Sequence, residues 1–454
     1  MRHRLYRDVI HGQIRLLREA DASLPSESIL AHVIPQIRDT SVFQRLRSIR
    51  QNGLTNFVFP GMEHSRFAHS MGVFFLSRRM YDSIVRNSGE TSDPRQRTLV
   101  AVAGLVHDIG HGPFSHSLEQ AFEFDHEQMS VRMLTEHEGL FSILNSVDDK
   151  FATDLAPYIS KDHRKEDEWA YRIISSQLDA DRLDYMLRDS LFAGLKGHGF
   201  DLERVLDVLS IHNHRLTVEE SSMPSIEAYL TSRLHLHEIV YFHKTVRAAQ
   251  CLLIAIFRRV SDLIRAGDSK FLDLIQPALR TFLLGLCESP VNLEVDLFSR
   301  VGDHHFWAAF DEWAHHSEDP ILKDLCDRLV CRRPFKAVTL QPASADATNQ
   351  QIDKALDACA KLLGLPVADV LRYYCSVDKP KTVAYKVFDP DSKRPDEEIW
   401  MRFRDGATKK LSDFKDNPVV QATTLPRTAN FFVYPIECRD KVANIIPHKE
   451  FQPS

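Results

Sequence analysis

The stretch "AVAGLVHDIGHGPFSHSLEQAF", residues 101–122, decides the reading of this chain. It starts as an apolar helix and turns polar where a core segment should continue, with His107, Asp108, His111 and His116 in close succession. Gly110, Gly112 and Pro113 among them break the helix. Successive side chains on a helix diverge by about 100°, so His107 and Asp108 face one centre only at a helix end or a distortion, and the glycines place one there. Imidazole nitrogen with carboxylate oxygen suits Fe, Mn, Zn or Ni better than a purely oxygen-seeking ion. A lone His-Asp pair is as readily a helix cap or a surface pair. Company gives it weight: His64, His69, His107, His111, His116 and His126 crowd one stretch of chain, a density that structural need alone rarely demands.

Working outward, most of the chain from Ile34 to about Arg265 reads as helix. "VFQRLRSIR", "AYRIISSQLDADRLDYMLRD" and "YLTSRLHLHEIVYFHKTVRAAQCLLIAIF" carry apolar residues at three- and four-residue spacing. The opening "RLYRDVIHGQIRL" alternates around a His-Gly turn and predicts a β-hairpin, as does "LSIHNHRLTVEE". Helical pieces continue to about Cys331, after which "FKAVTL", "TVAYKVF", "EIWMRF" and "NFFVYPI" read as strands. The expected fold is mainly α: a helical core with small β-hairpins over residues 1–265, and a C-terminal helical and α+β region over 266–454 that serves oligomerisation or regulation.

The 454 residues suffice for a large core, and 43% hydrophobic with 26% charged content is ordinary for a globular protein. A net charge of -6 supplies no whole-chain attraction to nucleic acid. Seven scattered cysteines with no C-x-x-C pair predict reduced thiols and a cytoplasmic protein. Neither a leader-like start nor a run of membrane-spanning length is apparent.

Two further segments carry polar stripes. Asp181, Tyr185 and Asp189 recur at every fourth residue with Arg182 beside them, and Arg233, His237, Tyr241 and Lys244 recur at helical spacing. Either stripe alone reads as a solvated face. Together with the metal cluster they read as walls of a phosphate-binding pocket.

At this point the chain resembles the HD-domain superfamily of metal-dependent phosphohydrolases, through His69, His107-Asp108 and Asp181. More narrowly it is similar to the deoxynucleoside triphosphate triphosphohydrolases, bacterial dGTPase-like enzymes and the vertebrate SAM- and HD-domain enzyme among them. The matching segments are "DTSVFQRLRSIRQNGLTNFVFPGMEHSRFAHSMG", "AGLVHDIGHGPFSH", "DHEQMS", "LDADRLDYMLRD" and "YFHK", in order over roughly residues 1–250. The resemblance implies hydrolysis of a dNTP to a deoxynucleoside and inorganic triphosphate. It implies that His69, His107, Asp108 and Asp181 hold the catalytic metal. His111 and His126 would approach the α-phosphate, and His116 would be the general acid. Arg66, Arg182, Tyr185 and Arg233 would hold the triphosphate, with additional Mg arriving on the nucleotide. Gln51 and Asp189 would meet the sugar 3′-hydroxyl, and Tyr241 would pack beneath the sugar. It further implies a GTP or dNTP activator at subunit contacts of a homo-oligomer, a tetramer or larger, met by Arg4, Asp39 and Arg47 and by Arg332, Arg333 and Lys336.

Two departures bear on specificity. Asn52 stands where relatives usually carry leucine, and Phe242 where the vertebrate enzyme has a glutamine that contacts the nucleotide. Competing readings are an HD phosphatase or phosphodiesterase acting on other nucleotides, and a single-stranded nucleic-acid nuclease or binder. The triphosphate-sized set of cations disfavours the first. Thin aromatic-basic interleaving disfavours the second.

Overall fold

The alternating start of the chain pairs as its pattern predicts. In the computed structural model, which describes residues 3–19, 21, 23–160, 168–197, 199–341, 345–386 and 398–446, β1 (His3–Asp8) and β2 (Gly12–Leu17) run antiparallel from His3↔Leu17 to Asp8↔Gly12. Alternation then puts Ile14 and Leu16 of β2 into the core.

Three helices form the frame of the functional half. Arg66–Ser88 is capped by Ser65, whose hydroxyl accepts from Ala68 N at 3.4 Å, and ends at the left-handed Gly89. Pro94–Val106 has Pro at its first turn and Asp93 as cap, accepting from Arg95 N at 2.8 Å; such a cap contributes about 1 kcal/mol. Ala180–Phe192 is capped by Asp179. The first of these packs on both of the others. The middle one is buried along Leu99–Val106, so its polar end at His107 is the only place where it can open towards a cavity.

The third predicted helix is not continuous. Met223–Leu236 and Lys244–Arg265 meet at a 60° bend, through one wide turn over His237–Tyr241 in which Phe242 N donates to His237 O at 2.9 Å. Wide turns of this kind re-aim side chains at functional sites. Here the turn carries His237, Tyr241 and Phe242 to a cavity wall. The second segment then buries Val246, Leu252, Leu253, Ile256, Phe257 and Val260, and it packs on Pro320–Val330 and His116–Phe122.

The remaining strands form three small sheets. β3 (Leu209–His212) and β4 (Arg215–Glu219) make the second predicted hairpin. Further along come β5 (Lys336–Thr339), β6 (Ser376–Asp378), β7 (Lys381–Thr382), β8 (Trp400–Arg402), β9 (Thr408–Lys410), β10 (Arg427–Thr428) and β11 (Phe431–Tyr434). β8 adds in parallel to β4, giving the order β3-β4-β8-β9; β5-β11-β6 and β10-β7 complete the set. The predicted strand "TVAYKVF" holds only at Thr382. Beyond it Tyr385 is buried, its N donating to Thr423 O at 3.0 Å and its hydroxyl to Glu398 at 2.5 Å. These inward bonds override β propensity, and Val387 and Phe388 lie outside the described residues. The helix Ala345–Leu363 stands in the region read mainly as strands. Among the described residues no single helix is long and apolar enough to cross a membrane.

Candidate active site

The site grows from the end of the Pro94–Val106 helix. His107 is its C-cap residue, and its Nδ1 donates to Gly104 O at 2.9 Å, which leaves Nε2 to face inward. His69, in the first turn of Arg66–Ser88, is fully buried and donates from Nδ1 to Asp184 Oδ2 at 2.8 Å. The two rings stand edge to face with centroids 5.2 Å apart. His69 Nε2 lies 3.0 Å from Asp181 Oδ1 and 3.8 Å from Asp108 Oδ2, while His107 Nε2 lies 3.2 Å from Asp108 Oδ1 and 3.7 Å from Asp181 Oδ1. Neither Nε2 has a partner in hydrogen-bond geometry among the described residues.

Four side chains of two ligand types, imidazole and carboxylate, converging with two orphaned imidazole nitrogens are what a divalent cation requires. Electrostatics agree. Burial pulls His69 down, but the nearby carboxylates of Asp181 and Asp184 outweigh it and raise its pKa to about 10. Burial likewise opposes ionisation of Asp108, yet the His107 and Arg66 charges hold it well below the usual carboxylate range. Asp181 is lowered in the same way, through His107 and His69 against burial. The pocket is therefore built to hold positive charge between its carboxylates, and these residues fit a divalent ion.

The loop after His107 is pinned from four directions. Arg45 donates to His111 O at 2.8 Å and Ile109 O at 2.5 Å. Ser130 Oγ accepts from Gly110 N at 2.9 Å. Asp303 accepts from Phe114 N at 2.9 Å and Arg50 N at 3.0 Å. Arg66 pairs with Asp108 and donates from Nε to Ser115 Oγ at 3.0 Å. A side chain at Gly110 would come within 2.2 Å of His126 O, so glycine permits this approach. Phe114 and Ser115 both have positive φ, 54° and 49°, a conformation that costs about 1–3 kcal/mol per residue and survives only where its surroundings impose it.

A second cluster faces the same space. Glu119 accepts from His116 Nδ1 at 2.8 Å and lies 2.7 Å from His126 Nδ1 and 3.5 Å from His111 Nδ1. The His111 ring stacks on His126 at 3.8 Å. Burial, then Arg66, depresses the His111 pKa well below its ordinary value, so His111 is neutral. Burial opposes ionisation of Glu119, but bonds from His116 and His126 keep it a carboxylate. Anchoring each ring at Nδ1 leaves Nε2 of His116 and His126 to give or take a proton.

A cavity of about 630 Å³ joins both clusters to a cationic and aromatic wall. Arg182 on that wall is bonded to Asp179 at 2.5 Å, and Arg233 donates to Ala384 O at 2.9 Å. Tyr185, Tyr241, Gln51, Asn52, Asp189 and Phe242 complete its polar end. Asp189 accepts from His64 Nε2 at 2.8 Å and from the Tyr241 hydroxyl. Burial, reinforced by Arg233 and Arg182, lowers the His237 pKa to about 4.

The HD domain family model matches residues 66–189, which run from Arg66 through His107-Asp108 to Asp189. The uncharacterized protein YwfO of Bacillus subtilis is 33% identical over 399 residues, covering 87% of this chain and 86% of that protein. The chain belongs to the HD-domain family. It is also 31% identical over 297 residues to the deoxynucleoside triphosphate triphosphohydrolase SAMHD1 homolog of Dictyostelium discoideum, covering 61% of this chain and 54% of that protein. A crystal structure of a phosphohydrolase from Bacteroides thetaiotaomicron superposes with a TM-score of 0.77 at 25% identity, over 95% of this chain and 100% of that one.

The HD centre gathers His69, His107, Asp108 and Asp181, and its cavity is lined by His111, His116, His126, Gln51, Arg66, Arg182, Tyr185, Asp189 and Tyr241. Arg233 stands behind that wall, buried, its charge felt by Tyr185 and His237. The six residues expected at an activator site do not join in one chain. Arg4 and Arg47 act electrostatically on Asp39, which is bonded to Arg38. Arg332 donates to Phe57 O, Arg333 pairs with Asp327, and Lys336 is exposed on β5. Sequence reasoning passed over Glu119, whose signal is its place three residues after His116. It also passed over Arg45, Asp303, Asp184 and His11, whose roles depend on contacts across the fold.

Proposed function

We propose that this protein is a metal-dependent deoxynucleoside triphosphate triphosphohydrolase, cleaving at the α-phosphate to release deoxynucleoside and inorganic triphosphate. The observation that carries this reading is the single cavity running from the metal ligands, past the His111–His116–Glu119–His126 cluster, to Arg182, Tyr185 and the polar end at Gln51 and Asp189. Its size falls in the range of small-molecule sites. Likeness to SAMHD1 proteins supports the same substrate class.

A divalent ion held by His69, His107, Asp108 and Asp181 would supply Lewis acidity and a water nucleophile active at neutral pH. The chain's own residues do the rest. Arg66, fixed by Asp108 and Ser115, faces the charge that builds on the phosphoryl oxygens. Neutral His111 offers a hydrogen bond without adding charge. His116, held by Glu119 and 75% exposed to the cavity mouth, protonates the leaving 5′-oxygen. Arg182 and Tyr185, with Arg233 behind them, retain the triphosphate. Among the described residues Gln51 Oε1 and Asn52 Nδ2 are buried without hydrogen-bond partners, an acceptor and a donor for the nucleoside end. Phe242 gives that end a ring where an amide is absent.

Nucleotide-gated assembly is part of the proposal. Arg4, Asp39 and Arg47 on one face and Arg332, Arg333 and Lys336 on another do not meet within a chain, so a GTP or dNTP activator would bridge copies. Product analysis tests the whole reading: each dNTP with Mn²⁺ or Mg²⁺, with and without GTP, and with Asp108→Ala as control. Intact triphosphate plus deoxynucleoside, lost in the variant, is the expected result. Orthophosphate or pyrophosphate would place attack elsewhere and sink it, and an oligomeric state indifferent to saturating nucleotide would remove the gating.

A further inference from the structure

We infer that the turn of the N-terminal hairpin is the outer brace of the HD centre: His11, with Asp8, Asp184 and Arg188, positions His69 for the metal, so that hairpin docking and metal binding are linked. The inference rests on the reading of His69 as a metal ligand and is independent of the substrate proposed.

The connection is continuous and buried. His11 Nε2 donates to Asp184 Oδ1 at 2.7 Å, and the other oxygen of that carboxylate accepts from His69 Nδ1 at 2.8 Å. Arg188 clamps Asp184 from the same helix, with Nε to Oδ2 at 2.8 Å and Nη2 to Oδ1 at 2.9 Å. Arg188 also reaches Asp8 at 3.0 Å. Asp8 in turn shapes the hairpin turn, its Oδ1 accepting from Ile10 N at 2.8 Å and His11 N at 3.0 Å. The side chains of His11, Asp184, His69 and Arg188 are all at most 1% exposed. Gly72 provides the room, since a Cβ there would lie 1.9 Å from Asp184 Oδ1 and 2.5 Å from Arg188 Nη2.

Asp184 accepts only, so His69 keeps a hydrogen on Nδ1, and the Nε2 proton is the one a metal would displace to take that lone pair. Without His11, Asp184 Oδ1 keeps only its bond from Arg188 Nη2, and nothing on the hairpin side balances the pull of Arg188 on the carboxylate. The Nε2 direction then rests on a carboxylate braced from one side only. The polar part of this docking is one imidazole and one ion pair, beside the His11–Phe75 ring contact. Whatever loosens it changes the metal ligand, and by reciprocity whatever fills the metal position tightens the hairpin.

The test uses the full chain and Mn²⁺ alone. Affinity is measured by chelator competition for wild type, His11→Ala and His11→Gln, beside the unfolding midpoint of each metal-free protein. His11→Ala is expected to weaken Mn²⁺ binding about 10–100-fold, and His11→Gln, whose amide can donate from nearly the same place, to recover most of it. Hydrogen exchange of residues 3–17 in wild type is expected to slow when Mn²⁺ binds. Unchanged Mn²⁺ affinity in a folded His11→Ala, or hairpin exchange indifferent to Mn²⁺, overturns the inference. The exchange measurement decides by itself if the variant does not fold. Normal Mn²⁺ linkage with no turnover of any dNTP would sink only the substrate reading.

Discussion

His69 and His116 are imidazoles of the same candidate active site, yet one is fully buried between Asp181 and Asp184 and the other is 75% exposed, bonded to Glu119 and edge-on to His111 and His126. The contrast runs through the whole cavity. On the metal side three of the four candidate ligands are oriented by a further group: Gly104 O for His107, Arg66 for Asp108, Asp184 for His69. On the side proposed for the phosphates Arg182 lines the cavity bonded to Asp179, a partner a phosphate could join, while Arg233 stays buried behind it on a backbone carbonyl. One wall is finished by folding, and in the proposed reaction the other would be finished by the substrate.

The largest effect that can break this comparison comes from Asp108→Asn, which keeps an acceptor for Arg66 but removes a charged ligand. Turnover is expected to fall to background and the bound metal, counted by elemental analysis, to fall with it; a metal-replete inactive variant would mean that Asp108 serves chemistry alone. His116→Ala is expected to lower kcat by about 10²–10⁴-fold while leaving metal content intact. Loss of metal in that variant would show the two walls to be one unit. Asp303→Ala leaves the amides of Phe114 and Arg50 unpaired, and is expected to cost about 1–3 kcal/mol in denaturant unfolding. An unchanged midpoint would mean that the loop holds its left-handed residues unaided.

A subtler difference is readable in pH. His237 stays neutral in the fold down to about pH 4, because burial and the nearby cations Arg233 and Arg182 resist its protonation. The unfolded chain takes up that proton near pH 6.5, so it binds more protons between those values. Stability from this residue is therefore fully present above pH 6.5 and declines as pH falls towards 4. His237→Gln should flatten that part of the profile relative to wild type, and parallel profiles would refute the assignment. The smallest effect belongs to the exposed face: Arg333→Ala should change stability by no more than about 0.5 kcal/mol while weakening nucleotide-dependent assembly measured by light scattering.

Much of the metal side was legible in the chain because its signal is local. An apolar helix that ends in His-Asp-Ile-Gly-His announces a centre, and fourfold spacing put Asp181, Tyr185 and Asp189 on one face. Both hairpins were equally plain from alternation. What was illegible depends on distance: Asp184 sits three residues after Asp181 but acquires meaning only when His11 and His69 arrive from other elements. The parallel pairing of β8 with β4 leaves no mark on "EIWMRF", and the wide turn at His237–Tyr241 lies within an unbroken helical pattern. Strand propensity misled at Tyr385, where burial and a bond to Glu398 decided the backbone.

The pin between Asp303 and Phe114 spans 189 positions of sequence. A ribosome adds residues at about 5–20 per second, so the loop that follows His107 waits on the order of ten seconds or more for its last fastener. Until then the half-made chain can own every metal ligand without owning the strained turn that shapes the site. The bond that helps hold the left-handed residues at Phe114 and Ser115 can therefore close only when synthesis is well past its middle.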